Sequence, residues 1–239
     1  MTSLFTAKGE AAVASASKKN LDLKKIYIRL KEGESKRVRV LGVTENTVRE
    51  YMSQGDFNIG IFTQPDISPI LGGPSPLTIA SNSGIEKFEK LYPKKRYLMV
   101  FADLDTPEGE SPLRVWDCSK AQGVAMQNLW KEYDESKDDV AFTLKRTGDK
   151  TETVFHLLPI MKLKPEDKGK FEALEGIEVP EDFLDNVLIP RTEAQQIELL
   201  EKAGFPVKDY FGATKVNTEE EETEEEETEE IGKDETENF

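Results

Sequence analysis

The stretch KIYIRLKEGESKRVRVL, residues 25–41, carries the reading of the fold. Ile26, Ile28 and Leu30 alternate with Tyr27, Arg29 and Lys31, so an extended chain sends the apolar set to one side and the polar set to the other. Residues 31–35 then turn about Gly33. In the second run Val38 and Val40 point toward a core while Arg37 and Arg39 point away. Two alternating runs around a glycine turn predict a β-hairpin.

The pattern recurs further along. Residues 47–52 read as a strand. Residues 94–101 read as another, entered through Lys94, Lys95 and Arg96, with residues 112–116 as its hairpin partner beyond a turn at 105–110. A last hairpin joins 140–147 to 153–158 around Gly148, Asp149 and Lys150, and Pro159 ends it. Between these, Ser119 reads as the N-cap of a helix reaching Tyr133, with Val124, Met126, Leu129 and Trp130 turned inward. Residues 63–84, dense in Pro, Gly and Ser, read as a long irregular loop. From Lys164 the period changes. Short helices are expected over 165–174 and 181–188, and a better one over 192–203, capped by Thr192 and stopped by Gly204. No internal repeat is visible. Five or six short antiparallel strands with one helix before the last hairpin predict a mainly β, α+β chain built on an OB-fold-like antiparallel β-barrel, with a β-sandwich as the rival. The expected organisation is a flexible arm at 1–20, the barrel domain at 21–162, a helical extension at 163–216 and a disordered acidic tail at 217–239.

The 239 residues hold one cysteine, Cys118, and one histidine, His156. That excludes an internal disulfide, a Cys/His zinc cluster and a haem motif, and leaves any imidazole-based nucleophilic enzyme only His156. His156 alternates with Phe155 and Leu157 and reads as structural. Asp103, Asp105 and Asp117 offer the acids of a metal-dependent nuclease, but without a clustered motif, and no phosphate-binding glycine loop is present. No membrane-length apolar run and no signal peptide is read, so a soluble, cytoplasmic protein that needs no cofactor or metal is expected.

The formal net charge of −15 is unevenly placed. Residues 217–239 hold thirteen acids against Lys233, a net of −12, whereas residues 1–60 carry a net of +4. The body is therefore close to neutral with a basic first third, and the tail is a polyanion ending in Phe239. A single-strand site needs cations for phosphates and flat rings for bases. The expected groove is Tyr27, Arg29, Arg37, Arg39, Tyr97, Arg114 and Trp116, with Lys94, Lys95, Arg96, Lys145 and Lys150 on its rim. A charged alternation also marks an ordinary solvated face, and aromatics also fill cores. The groove reading rests on the pattern recurring in several hairpins. The alternative is an acidic DNA mimic or protein-interaction protein.

Three segments taken in order, IYIRLKEGESKRVRVLG, KKRYLMVFADLDTPEGESPLRVWDCSKAQGVAMQNLW and VAFTLKRTGDKTETVFHLLP, resemble the single-stranded DNA-binding proteins of tailed bacteriophages. The resemblance spans about residues 24–160. It implies an OB-fold that coats single-stranded DNA during phage replication, recombination and repair in the host cytoplasm. It also implies an acidic tail that restrains DNA binding and contacts the phage DNA polymerase or helicase-primase, with Phe239 as the anchor. Some relatives carry a Cys/His zinc site in the region corresponding to 63–84. This chain has neither residue there, so no metal is carried over. The helical extension matches no family element, and its role is open between packing on the barrel, self-association and contact with a replication protein.

Overall fold

A computed structural model describes residues 22–149 and 152–212. Seven antiparallel strands form one sheet: β1 (Ser35–Val40), β2 (Val48–Asp56), β3 (Ile61–Pro65), β4 (Lys94–Asp103), β5 (Leu113–Ser119), β6 (Phe142–Thr147) and β7 (Val154–Pro159). The order is β3-β2-β4-β1-β6-β7, with β5 on the other edge of β4. β4 organises the sheet. One of its edges is paired with β5 from Arg96↔Ser119 to Ala102↔Leu113. The other edge is shared end to end by β2, from Val48↔Met99 to Ser53↔Lys94, and by β1, from Val38↔Asp103 to Val40↔Phe101.

The ladder is open, yet its ends meet. β5 and β7 lie at opposite ends of the run β5-β4-β1-β6-β7, and the rings of Trp116 and Phe155 are 4.7 Å apart. Side-chain packing therefore curls the sheet, an arrangement consistent with an OB-like fold, mixed α+β and mainly β. The enclosed core takes Val38, Val40, Met99, Phe101, Trp116, Phe142, Leu144 and Leu157 from the strands. It is capped by Met126 and Trp130 of α4 (Lys120–Glu132), which follows α1 (Leu23–Ile26), α2 (Ser68–Leu71) and α3 (Pro76–Ser81) in the chain. α4 starts where the sequence places it. Ser119 and Gln122 form a reciprocal capping box, and Trp130 stands edge-on to Phe101 at 5.2 Å. Val124, expected inward, is exposed.

The expected first hairpin does not form. Asp22 caps α1, and residues 27–30 then run extended along the outer edge of β5, through a parallel bridge Tyr27↔Val115 and an Ile28 N–H···O=C Val115 bond of 2.7 Å. β1 pairs instead with β4 and β6. The expected alternation holds only from residue 28: Ile28 and Leu30 enter the enclosed core, whereas Ile26 ends α1 and packs in the outer cluster, and the Leu30 carbonyl accepts from the Arg146 guanidinium at 2.8 Å. Period two specifies an extended chain and its buried side. It does not name the neighbouring strand.

The outer side of the sheet is also covered. Leu98, Val100, Leu113 and Val115 pack against Val179, Phe183, Leu184 and Val187, so β4 is buried on both faces. Phe171 and Leu174 cover Ala102. These residues come from α5 (Pro165–Glu172), α6 (Phe183–Val187) and the turns around them, and α7 (Glu193–Lys202) and α8 (Val207–Phe211) follow. Residues 63–84 are not an irregular loop. Ser75 caps α3 with Pro76 in its first turn, and Leu77 and Ala80 join Ile61, Phe88, Leu91, Leu200 and Phe205 in a third cluster. The arm at 1–20 and the acidic tail lie outside the described residues. No described helix is long and apolar enough to cross a membrane.

Candidate nucleic-acid interface

Arg37 and Arg39 leave β1 on the side opposite Val38 and Val40, as the alternation requires, but that side lies under α5. The Arg37 guanidinium meets both oxygens of Asp105 and, at 2.7 Å, Asp167. It holds both carboxyls below the usual range through these hydrogen bonds. Arg39 is only 4% exposed. It lies 4.3 Å over the Phe171 ring and donates to the Phe171 carbonyl at 2.9 Å and the Asp138 carbonyl at 3.2 Å. Both arginines fasten the covering helix to the sheet, so neither faces a groove.

Arg114 and Trp116 fall on the opposite, enclosed side. The register Phe101↔Arg114 and Met99↔Trp116 fixes this. Arg114 is buried against Asp103 at 3.4 Å and donates to the Ser111 carbonyl at 2.6 Å. Trp116 is 2% exposed. These two are corrected from groove to core. The other expected cations are dispersed. Lys94 donates to the Lys90 carbonyl at 2.8 Å and sits 4.6 Å from the Tyr92 ring. Lys95 and the Tyr97 hydroxyl converge on Glu50 at 2.9 and 2.8 Å, which lowers the Glu50 pKa. Arg96 turns to the outer side and donates to Asp117 at 2.9 Å. Lys145 lies across from His156 on the outer side of β6 and β7. Lys150 and Phe239 lie outside the described residues. The three acids considered for metal chemistry each hold a cation: Asp103 with Lys36 and Arg114, Asp105 with Arg37, Asp117 with Arg96. Among the described residues no three His, Cys, Asp or Glu side chains cluster to hold an ion. Burial pushes the Cys118 thiol up to about 12, so it stays protonated.

Two expected residues do share a concavity. Tyr27 and Arg29 line an outer cleft of about 370 Å³ together with Tyr51, Asp117, Arg191, Thr63–Pro65 at the sheet edge and Val187–Ile189 at the end of α6. Tyr27 donates to the Val187 carbonyl at 2.9 Å and has the Arg29 guanidinium 5.8 Å from its ring centre. The Tyr51 hydroxyl donates to Asp117 at 3.0 Å. Burial, reinforced by the Asp117 charge, pushes the Tyr27 phenol up to about 12 and raises Tyr51 as well. Both phenols are neutral through the physiological range. Arg29 and Arg191 make no ion pair among the described residues. The site therefore brings two neutral phenol rings, part-buried against the outer cluster, together with two arginines that make no ion pair. Tyr51, on an alternating strand, was within reach of sequence reasoning. Arg191 was not, because a turn 140 residues downstream carries no periodic signal. Comparison of the sequence with protein-family models and with curated proteins finds no match to either.

Proposed function

We propose that this protein binds single-stranded DNA, largely without regard to sequence, through the cleft of Tyr27, Arg29, Tyr51 and Arg191. The observation that carries the reading is the meeting of two arginines that make no ion pair with two neutral tyrosine rings in one cleft on the outer side of a curled, OB-like sheet. Guanidinium groups neutralise phosphates and rings accept any base. The motif order supports a part in phage replication, recombination and repair in the host cytoplasm. The polyanionic segment 217–239 supports competition with DNA and recruitment of a polymerase or helicase-primase.

Anisotropy of a labelled oligonucleotide tests the reading, with the full chain and with residues 217–239 removed, each at two salt concentrations. Binding that weakens with salt and tightens without the tail is expected. Replacing Arg29 and Arg191 together by alanine is expected to lower affinity at least tenfold and to flatten the salt slope by about one to two counterions. Absence of binding by either chain overturns the proposal.

A second reading, an acidic interaction protein, is favoured by one observation. Arg37, Arg39, Arg96 and Arg114 are all engaged within the fold, while the sequence concentrates a net charge of −12 in residues 217–239. Tail removal then abolishes partner binding without exposing any affinity for DNA.

A further inference from the structure

The cleft holds one group that a site for phosphates and stacked bases does not require. Asp117 lines it, with 26% of its side chain exposed. One carboxylate oxygen accepts from Arg96 Nε at 2.9 Å and the other from the Tyr51 hydroxyl at 3.0 Å. These partners fix the plane of the carboxylate. They use two of its roughly four acceptor positions, so about two remain. The volume, near the lower end of small-molecule sites, suits a single nucleotide unit.

We infer that Asp117 reads the edge of one base entering the cleft, so that binding carries a modest preference for guanine and a bias against thymine. This rests on the single-strand reading proposed above and adds a choice among bases to it. Guanine presents two adjacent donors, N1–H and the 2-amino group, which match the two oxygens of a carboxylate. Cytosine and adenine present one amino group beside an acceptor nitrogen. Thymine presents a lone N3–H between two carbonyl oxygens, both repelled by the carboxylate. A fixed acceptor therefore rejects thymine more strongly than it distinguishes the other bases. Arg29 and Arg191 hold the flanking phosphates, so the acid does not abolish binding.

The test uses the full chain and three labelled oligonucleotides of about 25 nucleotides, long enough to cover an OB-type site. One is thymine throughout. One has guanine at every third position, too dispersed to fold. One has hypoxanthine in place of those guanines, which keeps N1–H and lacks the 2-amino group. The guanine strand is expected to bind about fivefold more tightly than the thymine strand, with the hypoxanthine strand between them. Asp117→Asn is expected to shrink the guanine advantage below twofold. The strand series stands on the unaltered protein, so a poorly folding variant leaves the inference open to refutation. Equal affinity for the guanine and thymine strands, or a thymine preference, overturns the base contact while leaving single-strand binding in place. A guanine advantage that persists in Asp117→Asn also overturns it. Failure to bind any strand overturns both proposals.

Discussion

Arg37 and Trp116 show how far a single residue can be read. The side on which Arg37 leaves its strand follows from Val38, but what waits there is Asp167, supplied from 130 positions downstream. Trp116 has the opposite history. Its neighbours are mixed in polarity, and only the register with Met99 assigns it to the enclosed side. Trp116→Ala leaves a large void beside Phe155 and is expected to lose about 3–5 kcal/mol of stability, checked by urea unfolding. The pH dependence at Arg37 has a definite sign. Asp105 and Asp167 have lowered carboxyl pKa values in the folded chain, mainly through hydrogen bonds from Arg37. Such groups stabilise the fold above the ordinary carboxylate range and stop doing so as pH falls through their lowered values. The stability gap between the unaltered protein and Arg37→Ala is therefore expected to be full at neutral pH and to shrink as pH falls below the ordinary carboxylate range of about 4. Unfolding curves of both proteins across that range check it.

At the scale of elements, legibility depended on whether the deciding contacts were local. α4 was readable from Ser119 onward because its start signal lies within four residues. The helix over 192–203 was readable from Thr192 for the same reason, and the structure places α7 there with a capping box. α3 had an equally local signal, Ser75 before Pro76, but it was submerged in a composition that reads as loop. The partner of β1 was not readable, since β4 and β6 lie about 60 to 110 positions away. One contact between elements left no trace in the sequence. Gly123 of α4 lies against the Tyr97 ring, and a Cβ there would sit 2.8 Å from Tyr97 Cδ2. Gly123→Ala must push the helix or the ring aside and is expected to destabilise by about 1–3 kcal/mol, read as a lower melting temperature.

For the whole molecule, the sequence separates residues 163–216 from the barrel as an extension, and the packing joins the described part of them to it. Among the described residues, the outer surfaces of Leu98, Val100, Leu113 and Val115 are covered mainly by Val179, Phe183, Leu184 and Val187 of this region, with Ile26 of α1 and the flanking Leu41 and Tyr51. A chain ending at residue 162 bares that apolar sheet face. It is expected to aggregate or to bind a hydrophobic dye strongly, as size-exclusion chromatography and dye fluorescence would show. A compact, monodisperse truncated chain would mean that the outer cover is dispensable. The candidate site is likewise a property of the whole, because Tyr27 comes from the extended stretch after α1, Tyr51 from β2 and Arg191 from beyond α6. Its first two members, Tyr27 and Arg29, were named from the sequence, since they share one extended stretch; Tyr51 and Arg191 were not.

The late position of α6 in the chain has a consequence for biosynthesis. β5 is finished at Ser119, and the helix that shields it ends at Val187. At roughly 5–20 residues per second, translation leaves that sheet face without its shield for about 3–14 s. A nascent chain in this interval presents a sticky surface to its neighbours on the same messenger. Ribosome-associated holding factors that cover this face are therefore expected to raise the yield of the protein.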